Sequence, residues 1–253
     1  MRKVLTLLLA LLYGVALAGQ GQGPGPGLGS FGGGGGGSVV FDAQTAAVVS
    51  VNGATTMTAS MTVGSGSNRA LAAVLWFSLS TTPTGLACHW DPAGTNQAMT
   101  ELTGANTGTN GGLSGASTIF ALIAPTSGTK NLTCTWTGSW EAHISAISFT
   151  GVNQGSIGAA FPNAGFTSIL TATASPISIG PITSGTGHQV FTGFAQGCSA
   201  WGAVSGTTVN SDASTGPNLA VVSSYTTGAA TVTATAAFTG SCDQIASGAD
   251  VSP

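Results

Sequence analysis

Charge is what this chain of 253 residues has least of. Charged residues make up 4% of it, 4 basic and 7 acidic, against about 25% in an average globular protein. Two of the cations, Arg2 and Lys3, stand at the extreme N-terminus, and beyond them only Arg69 and Lys130 remain. A basic stripe is what replaces counterions along a nucleic acid. None is present, so nucleic acid is excluded as a partner, and an anionic lipid surface is disfavoured for the same reason. Lys, Glu and Arg are also the residues that solvate exposed helix faces, so their scarcity argues against helices in the mature protein. Disorder is not the alternative, because it goes with low hydrophobicity, and here 42% of residues are apolar.

Catalytic signatures are missing too. There is no G-x-S-x-G nucleophile elbow, no H-E-x-x-H or C-x-x-C metal spacing and no calcium-loop run of Asp and Asn. Neither a cofactor nor a metal is expected. Gly27 to Gly32 does spell G-x-G-x-x-G, but a phosphate cradle must follow a buried strand and open a helix. Upstream of it is "MRKVLTLLLALLYGVALA", with basic residues, an apolar run and Ala16-Leu17-Ala18. That order is the n-region, h-region and cleavage site of a secretory signal peptide, residues 1–18. The apolar run is short for a permanent membrane span, so no stable span is expected after its removal. Residues 19–38 read as a Gly/Pro-rich flexible tether, whose coil span is about 25 Å.

What remains, residues 39–253, is rich in Thr, Ser and Gly and reads as short strands. "RALAAVLWFSLS" puts Leu71, Ala73, Leu75, Phe77 and Leu79 on one face and Ala72, Val74 and Trp76 on the other. Apolar residues on both faces predict a central strand covered on each side. "NLTCTWTG" alternates Leu132, Cys134 and Trp136 with Thr133, Thr135 and Thr137, the pattern of a half-buried strand. "STIFALIAP", "HISAISF" and "HQVFTGF" are further runs bounded by turn residues. Many short strands with such punctuation predict an all-β antiparallel sandwich.

A repeat runs through it. "TSGTKNLTCTWTGSWEAHI" lies over "TTGAATVTATAAFTGSCDQI", matching Leu132 to Val232 and Cys134 to Ala234. The preceding segments correspond roughly, which gives half-repeats near 68–152 and 186–250. One sandwich built from two similar halves is favoured over two small sandwiches. Cys88 shares a strand face with Leu86 and Trp90, as Cys134 does with Leu132 and Trp136; Cys198 and Cys242 lie in the second half. Four cysteines in a secreted chain favour disulfides, and the pairing expected is Cys88–Cys134 and Cys198–Cys242. Four free thiols are the alternative.

Asn68-Arg69 before a hydrophobic strand, the Pro125–Thr129 turn before a Thr-rich strand and the Phe149–Val152 corner give the region 39–250 a resemblance. It resembles the jelly-roll, concanavalin-like sandwich modules of secreted bacterial proteins and of phage virion or tail-associated proteins. That resemblance implies a jelly-roll sandwich with a surface or adhesive role rather than a reaction.

Candidate site residues are few. Trp76, Trp90 and Trp136 sit at apolar strand positions and are expected in the core. Trp140 and Trp201 lie beside turns, where an exposed indole would offer a sugar a flat apolar face. Glu141 and His143 are two apart, as are His89 and Asp91, so each pair could share a strand face. Glu141 and Asp243 follow matching Thr-Gly-Ser turns and read as loop-end residues, or as the paired carboxylates of a glycan hydrolase. The ligand-binding set suggested is thus Trp140, Trp201, Glu141 and His143.

The expectation is a secreted, non-catalytic module for adhesion, attachment or structural assembly, outside the cell or on a virion. Its partner would be an extracellular or cell-surface glycan or protein, with self-assembly through poorly guarded strand edges as a further route. A carbohydrate-binding module and a secreted polysaccharide hydrolase are the alternatives.

Overall fold

A computed structural model describes residues 37–45, 48–49, 53–78, 83–102, 115–169, 176–197, 201–205, 208–215, 219–238 and 243–253. The signal peptide, all of the tether but its last two residues, and the Cys198–Cys242 pair lie outside these. The described chain is all-β and antiparallel, as its composition predicts, with one short helix.

The first half supplies β1 (Val40–Gln44), β2 (Val48–Val49), β3 (Ala54–Val63), β4 (Ala70–Ser78), β5 (Thr84–Trp90), β6 (Gln97–Ala98), β7 (Thr100–Glu101), β8 (Ala116–Ile123) and β9 (Gly128–Thr150). Helix α1 (Ile157–Ala160) follows, capped by the Ser156 hydroxyl, which accepts from the Ala159 N–H. The second half supplies β10 (Ala164–Ile169), β11 (Ile177–Thr183), β12 (Gln189–Gln196), β13 (Trp201–Ser205), β14 (Thr208–Thr215), β15 (Ala220–Thr227), β16 (Thr231–Phe238) and β17 (Gln244–Val251).

β9 belongs to two sheets. Its first part pairs with β3 and β5, and its second part with β4, β1 and β2. The change falls around Gly138, whose φ of +104° suits glycine alone. The first part with β3, β5 and β6 makes an outer sheet; the second part with β1, β2, β4, β8 and β7 makes an inner one. The second half repeats this order with two separate strands in place of β9. Its inner sheet runs β10-β17-β12-β15-β14 and its outer sheet β11-β16-β13. The repeat is visible in register as well: Ser145 pairs with Val74 on β4, and Ser247 pairs with Gly193 on β12.

Three apolar layers separate these four sheets. Leu71, Leu75, Phe77, Trp90, Leu132 and Ile144 fill the first half. Ile177, Ile179, Val190, Phe194 and Val222 fill the second. The two inner sheets then pack on each other through Val74, Trp76, Ile119, Phe149, Phe191 and Val221. The alternation along β4 is therefore explained in full: odd residues face their own half's core, even residues face the other half. Each half closes a core of its own, and the third layer joins them, so residues 35–253 form one compact unit. Burying one large apolar side chain stabilises by about 1.5–3 kcal/mol, and Trp76, Trp90, Phe77, Phe149, Phe191 and Phe194 are all fully buried.

Cys88 and Cys134 stand directly opposite on β5 and β9 and are joined by a disulfide. Among the described residues no cysteine is free.

Candidate functional site

Because Met57, Ala59, Met61 and Val63 of β3 point inward with Leu132, Cys134 and Trp136 of β9, the residues between them point out. β3 and β9 pair without a register break from Thr56↔Thr135 to Val63↔Gly128. The outward rows are Thr56 beside Thr135, Thr58 beside Thr133, Ser60 beside Asn131, and Thr62 beside Thr129. Thr58 and Thr133 hydroxyls are 3.0 Å apart, and those of Thr62 and Thr129 2.7 Å. Ala87 and His89 of β5 continue the first two rows. No carboxylate, ammonium or guanidinium belongs to these rows, and their one aromatic ring is the His89 imidazole, since Trp90 and Trp136 are turned into the core. The result is a hydroxyl and methyl surface, bounded at its Ser60, Thr129 and Asn131 end by a hollow that Asp91 and Lys130 also line.

The opposite outer sheet has the same chemistry with less order. Ser178 and Thr235 pair at 2.9 Å, and Thr231 and Thr233 are exposed. Its register, however, shifts between Ile179 and Ile182, where Gly180-Pro181 interrupts the row.

Asp42, Glu101, Asp91 and Asp250 are committed to holding the fold. Asp42 accepts from the Gly64 N–H at 2.8 Å and the Ser148 hydroxyl at 2.7 Å. Glu101 accepts from the Thr118 hydroxyl at 2.7 Å. Asp91 ends β5 with a φ of +52°. Its carboxylate accepts from the Thr95 N–H at 3.1 Å and faces Lys130 at 3.2 Å. The Thr95 backbone N–H, then Lys130, hold that carboxyl below its usual 3.8 against the opposing effect of burial. Asp91 therefore leaves the strand face on which His89 lies.

Asp250, fully buried, accepts from the Ser184 hydroxyl at 2.6 Å and from His188 Nδ1 at 2.9 Å. This cluster ties the 184–188 loop to β17. It was not legible in sequence, where His188 and Asp250 lie 62 residues apart.

Glu141 and His143 are brought together as their spacing predicts, but not at a surface. Both lie within β9 rather than at a loop end, both are fully buried, and His143 Nε2 is 2.9 Å from Glu141 Oε1. They point with Ser145, Ile147 and Phe149 toward the second half, so no solvent-borne ligand reaches them. Burial pushes the His143 imidazole below its ordinary 6.5, more than Glu141 raises it. Trp140 lies on β9 opposite Ala54, and Trp201 on β13 opposite Phe238; their side chains are outside the described residues. Asp243 precedes β17, and its carbonyl accepts from the Gly197 N–H. Among the described residues no group of three His, Cys, Asp or Glu could hold a metal ion.

The outer rows were half legible: Thr133, Thr135 and Thr137 stand out in "NLTCTWTG", but "ATTMTASMTV" supplies the facing row with only Met57, Met61 and Val63 set among Ala, Ser and Thr to announce a strand. No family model, no curated protein and no solved structure matches this chain.

Proposed function

We propose that this protein is a non-catalytic attachment module, displayed outside the cell or on a particle surface, that adheres through the exposed face of the β3–β9 sheet. The observation that carries the reading is the set of paired Thr rows with no charged side chain among them. Soluble proteins normally guard exposed strands with charge against adhesion; here the Asp91–Lys130 ion pair stands at one end of the rows and leaves the rest of them without charge. The commitment of Asp42, Asp91, Glu101, Glu141 and Asp250 to structural contacts supports a role without acid–base chemistry. The Cys88–Cys134 disulfide supports an oxidising compartment, in keeping with a cleaved leader and a tether that holds the sandwich away from its anchor.

Carbohydrate binding through Trp140 is a second reading, favoured by its position on β9 opposite Ala54, next to the Thr rows. The test incubates the full oxidised chain with soluble and insoluble glycans and scores retention and released reducing sugar. Retention lost on Thr58→Lys but kept on Trp140→Ala supports adhesion through the rows. Loss on Trp140→Ala alone transfers the role to the indole, and release of sugar overturns the non-catalytic reading.

A further inference from the structure

We propose that the hollow at the Ser60 end of the β3–β9 face binds one sugar unit of a glycan through two adjacent hydroxyls. The inference rests on the attachment reading above and names the ligand class and the place on that face where it is gripped.

The hollow follows from how β5 ends. Asp91 has a φ of +52°, which turns the chain out of the strand, while its N–H still donates to the Asn131 carbonyl at 2.8 Å. Asp91 and Pro92 on the β5 side, Thr129, Lys130 and Asn131 on β9, and Ser60 of β3 then line a hollow of about 370 Å³. Ligand pockets run from about 300 to 1,000 Å³, so there is room for one ring. Ser60, Pro92, Thr129 and Asn131 are exposed. A solvent-borne ligand therefore reaches this place, as it does not reach Glu141 and His143.

The ion pair in the hollow has capacity left over. Asp91 Oδ2 receives the Thr95 N–H at 3.1 Å, the Thr95 hydroxyl at 3.2 Å and Lys130 Nζ at 3.2 Å; Oδ1 takes part in none of these contacts. The Lys130 ammonium has three donors, and its side chain is about one third exposed. An acceptor-only carboxylate thus stands beside a donor-only ammonium. Each hydroxyl of a sugar both donates and accepts, so a vicinal diol fits the pair: one hydroxyl donates to Asp91 Oδ1 and its neighbour accepts from Lys130 Nζ. Hydrogen bonds to charged groups are the strong ones. The Ser60 hydroxyl and the Asn131 amide supply neutral donors and acceptors for the rest of the ring. A neutral ligand uses the ion pair without parting it, whereas an ionic ligand must compete with a partner 3.2 Å away. The hollow between β10 and β11 in the second half serves as an internal comparison. It measures about 280 Å³ but is lined by Phe166, Ile179, Pro181 and Ile182 with no charged side chain, so it lacks the adjacent donor and acceptor.

The experiment titrates the full oxidised chain with the methyl glycosides of glucose, galactose and mannose and follows the backbone amide resonances of residues 91–93 and 129–131. Inorganic phosphate and glycine are the anionic and zwitterionic probes, and retention on insoluble glycans is measured on the same preparation. The variants are Lys130→Gln on β9, Ser60→Ile on β3, which fills the hollow from the other strand, and Thr233→Ile on the other outer sheet. Thermal melting confirms that each is folded; all three positions are exposed or half-exposed, and Asp91 is left intact because it holds the turn to Thr95. At least one methyl glycoside is expected to bind in the millimolar range, little changed between low and high salt because the ligand is neutral. Lys130→Gln and Ser60→Ile are each expected to weaken binding about tenfold or more, and Thr233→Ile is expected to leave it unchanged. Glycoside binding that survives both hollow variants overturns the site. Resonance shifts caused by phosphate or glycine, and by no glycoside, overturn the ligand class. No glycoside binding, with glycan retention lost on Thr58→Lys, overturns this proposal and leaves attachment through the face standing. Neither binding nor retention overturns both.

Discussion

Ser117 Oγ lies 2.7 Å from Ser247 Oγ, a fully buried hydroxyl pair that joins the two inner sheets across 130 residues of chain. Ser145 and Ser223 form a second such pair, also at 2.7 Å. These contacts satisfy polar groups inside an otherwise apolar layer. A buried hydroxyl that loses its partner costs about 1–3 kcal/mol, whereas removing both partners is closer to neutral. Ser247→Ala should therefore destabilise by about 1–3 kcal/mol, and adding Ser117→Ala should recover part of the loss. Urea denaturation of the two single variants and the double variant closes the cycle; strict additivity would deny the pair its coupling.

Gly193 of β12 packs directly against β4 of the other half. A Cβ built there would stand 2.7 Å from Trp76 Cζ2 and 2.8 Å from Val74 Cγ2. Trp76 and Val74 are fully buried and have nowhere to move. Gly193→Ala should cost about 1–3 kcal/mol by overpacking, read as a lowered denaturation midpoint. An unchanged midpoint would mean that the inner sheets separate without penalty.

The His143 imidazole should make stability pH-dependent. Its native pKa lies below the ordinary 6.5 because burial disfavours the cation. As pH falls through 6.5, the unfolded chain takes up a proton that the native state refuses, so stability declines. The decline ends once pH is below the native value, where both states are protonated. Measured between about pH 7 and pH 5, the loss in unfolding free energy should be smaller in His143→Gln than in wild type. Equal slopes would show that the ring is solvated in the native state.

The disulfide should stabilise chiefly by restricting the unfolded chain. Cys88 and Cys134 are 46 residues apart, and closing a loop of that size is worth about 4 kcal/mol on the chain-entropy model. Reduction, or the double change Cys88→Ala and Cys134→Ala, should lower unfolding free energy by about that amount. Non-reducing peptide mapping of the intact chain checks the pairing itself.

Legibility in the sequence follows how local each signal is. The two-faced burial of β4 was readable because side chains alternate along any strand, and both sets in "RALAAVLWFS" are apolar. The pairing of Cys88 with Cys134 was readable because each shares its strand face with Leu and Trp residues. Glu141 and His143 were readable as neighbours two apart, but their burial was not. Nothing in "SWEAHIS" tells which face of β9 meets the second half, so a pair that looked suited to a loop lies sealed between the inner sheets. The Ser184–Asp250–His188 cluster had no local signal at all.

The sequence by itself determined the class: too little charge to solvate helices, and enough alternating Thr and apolar residues to make antiparallel sheets with one face covered. It also determined that two similar units follow one another, because Leu132 and Cys134 recur as Val232 and Ala234 at matching core positions. Only tertiary structure decided how the units use their second faces. Stacking the inner sheets through Trp76, Phe149, Phe191 and Val221 buries one face of each, which leaves the Thr rows of the outer sheets as the surface. Strand periodicity fixes that side chains alternate, but which set meets solvent depends on what packs against it, and that is a property of the assembled layers.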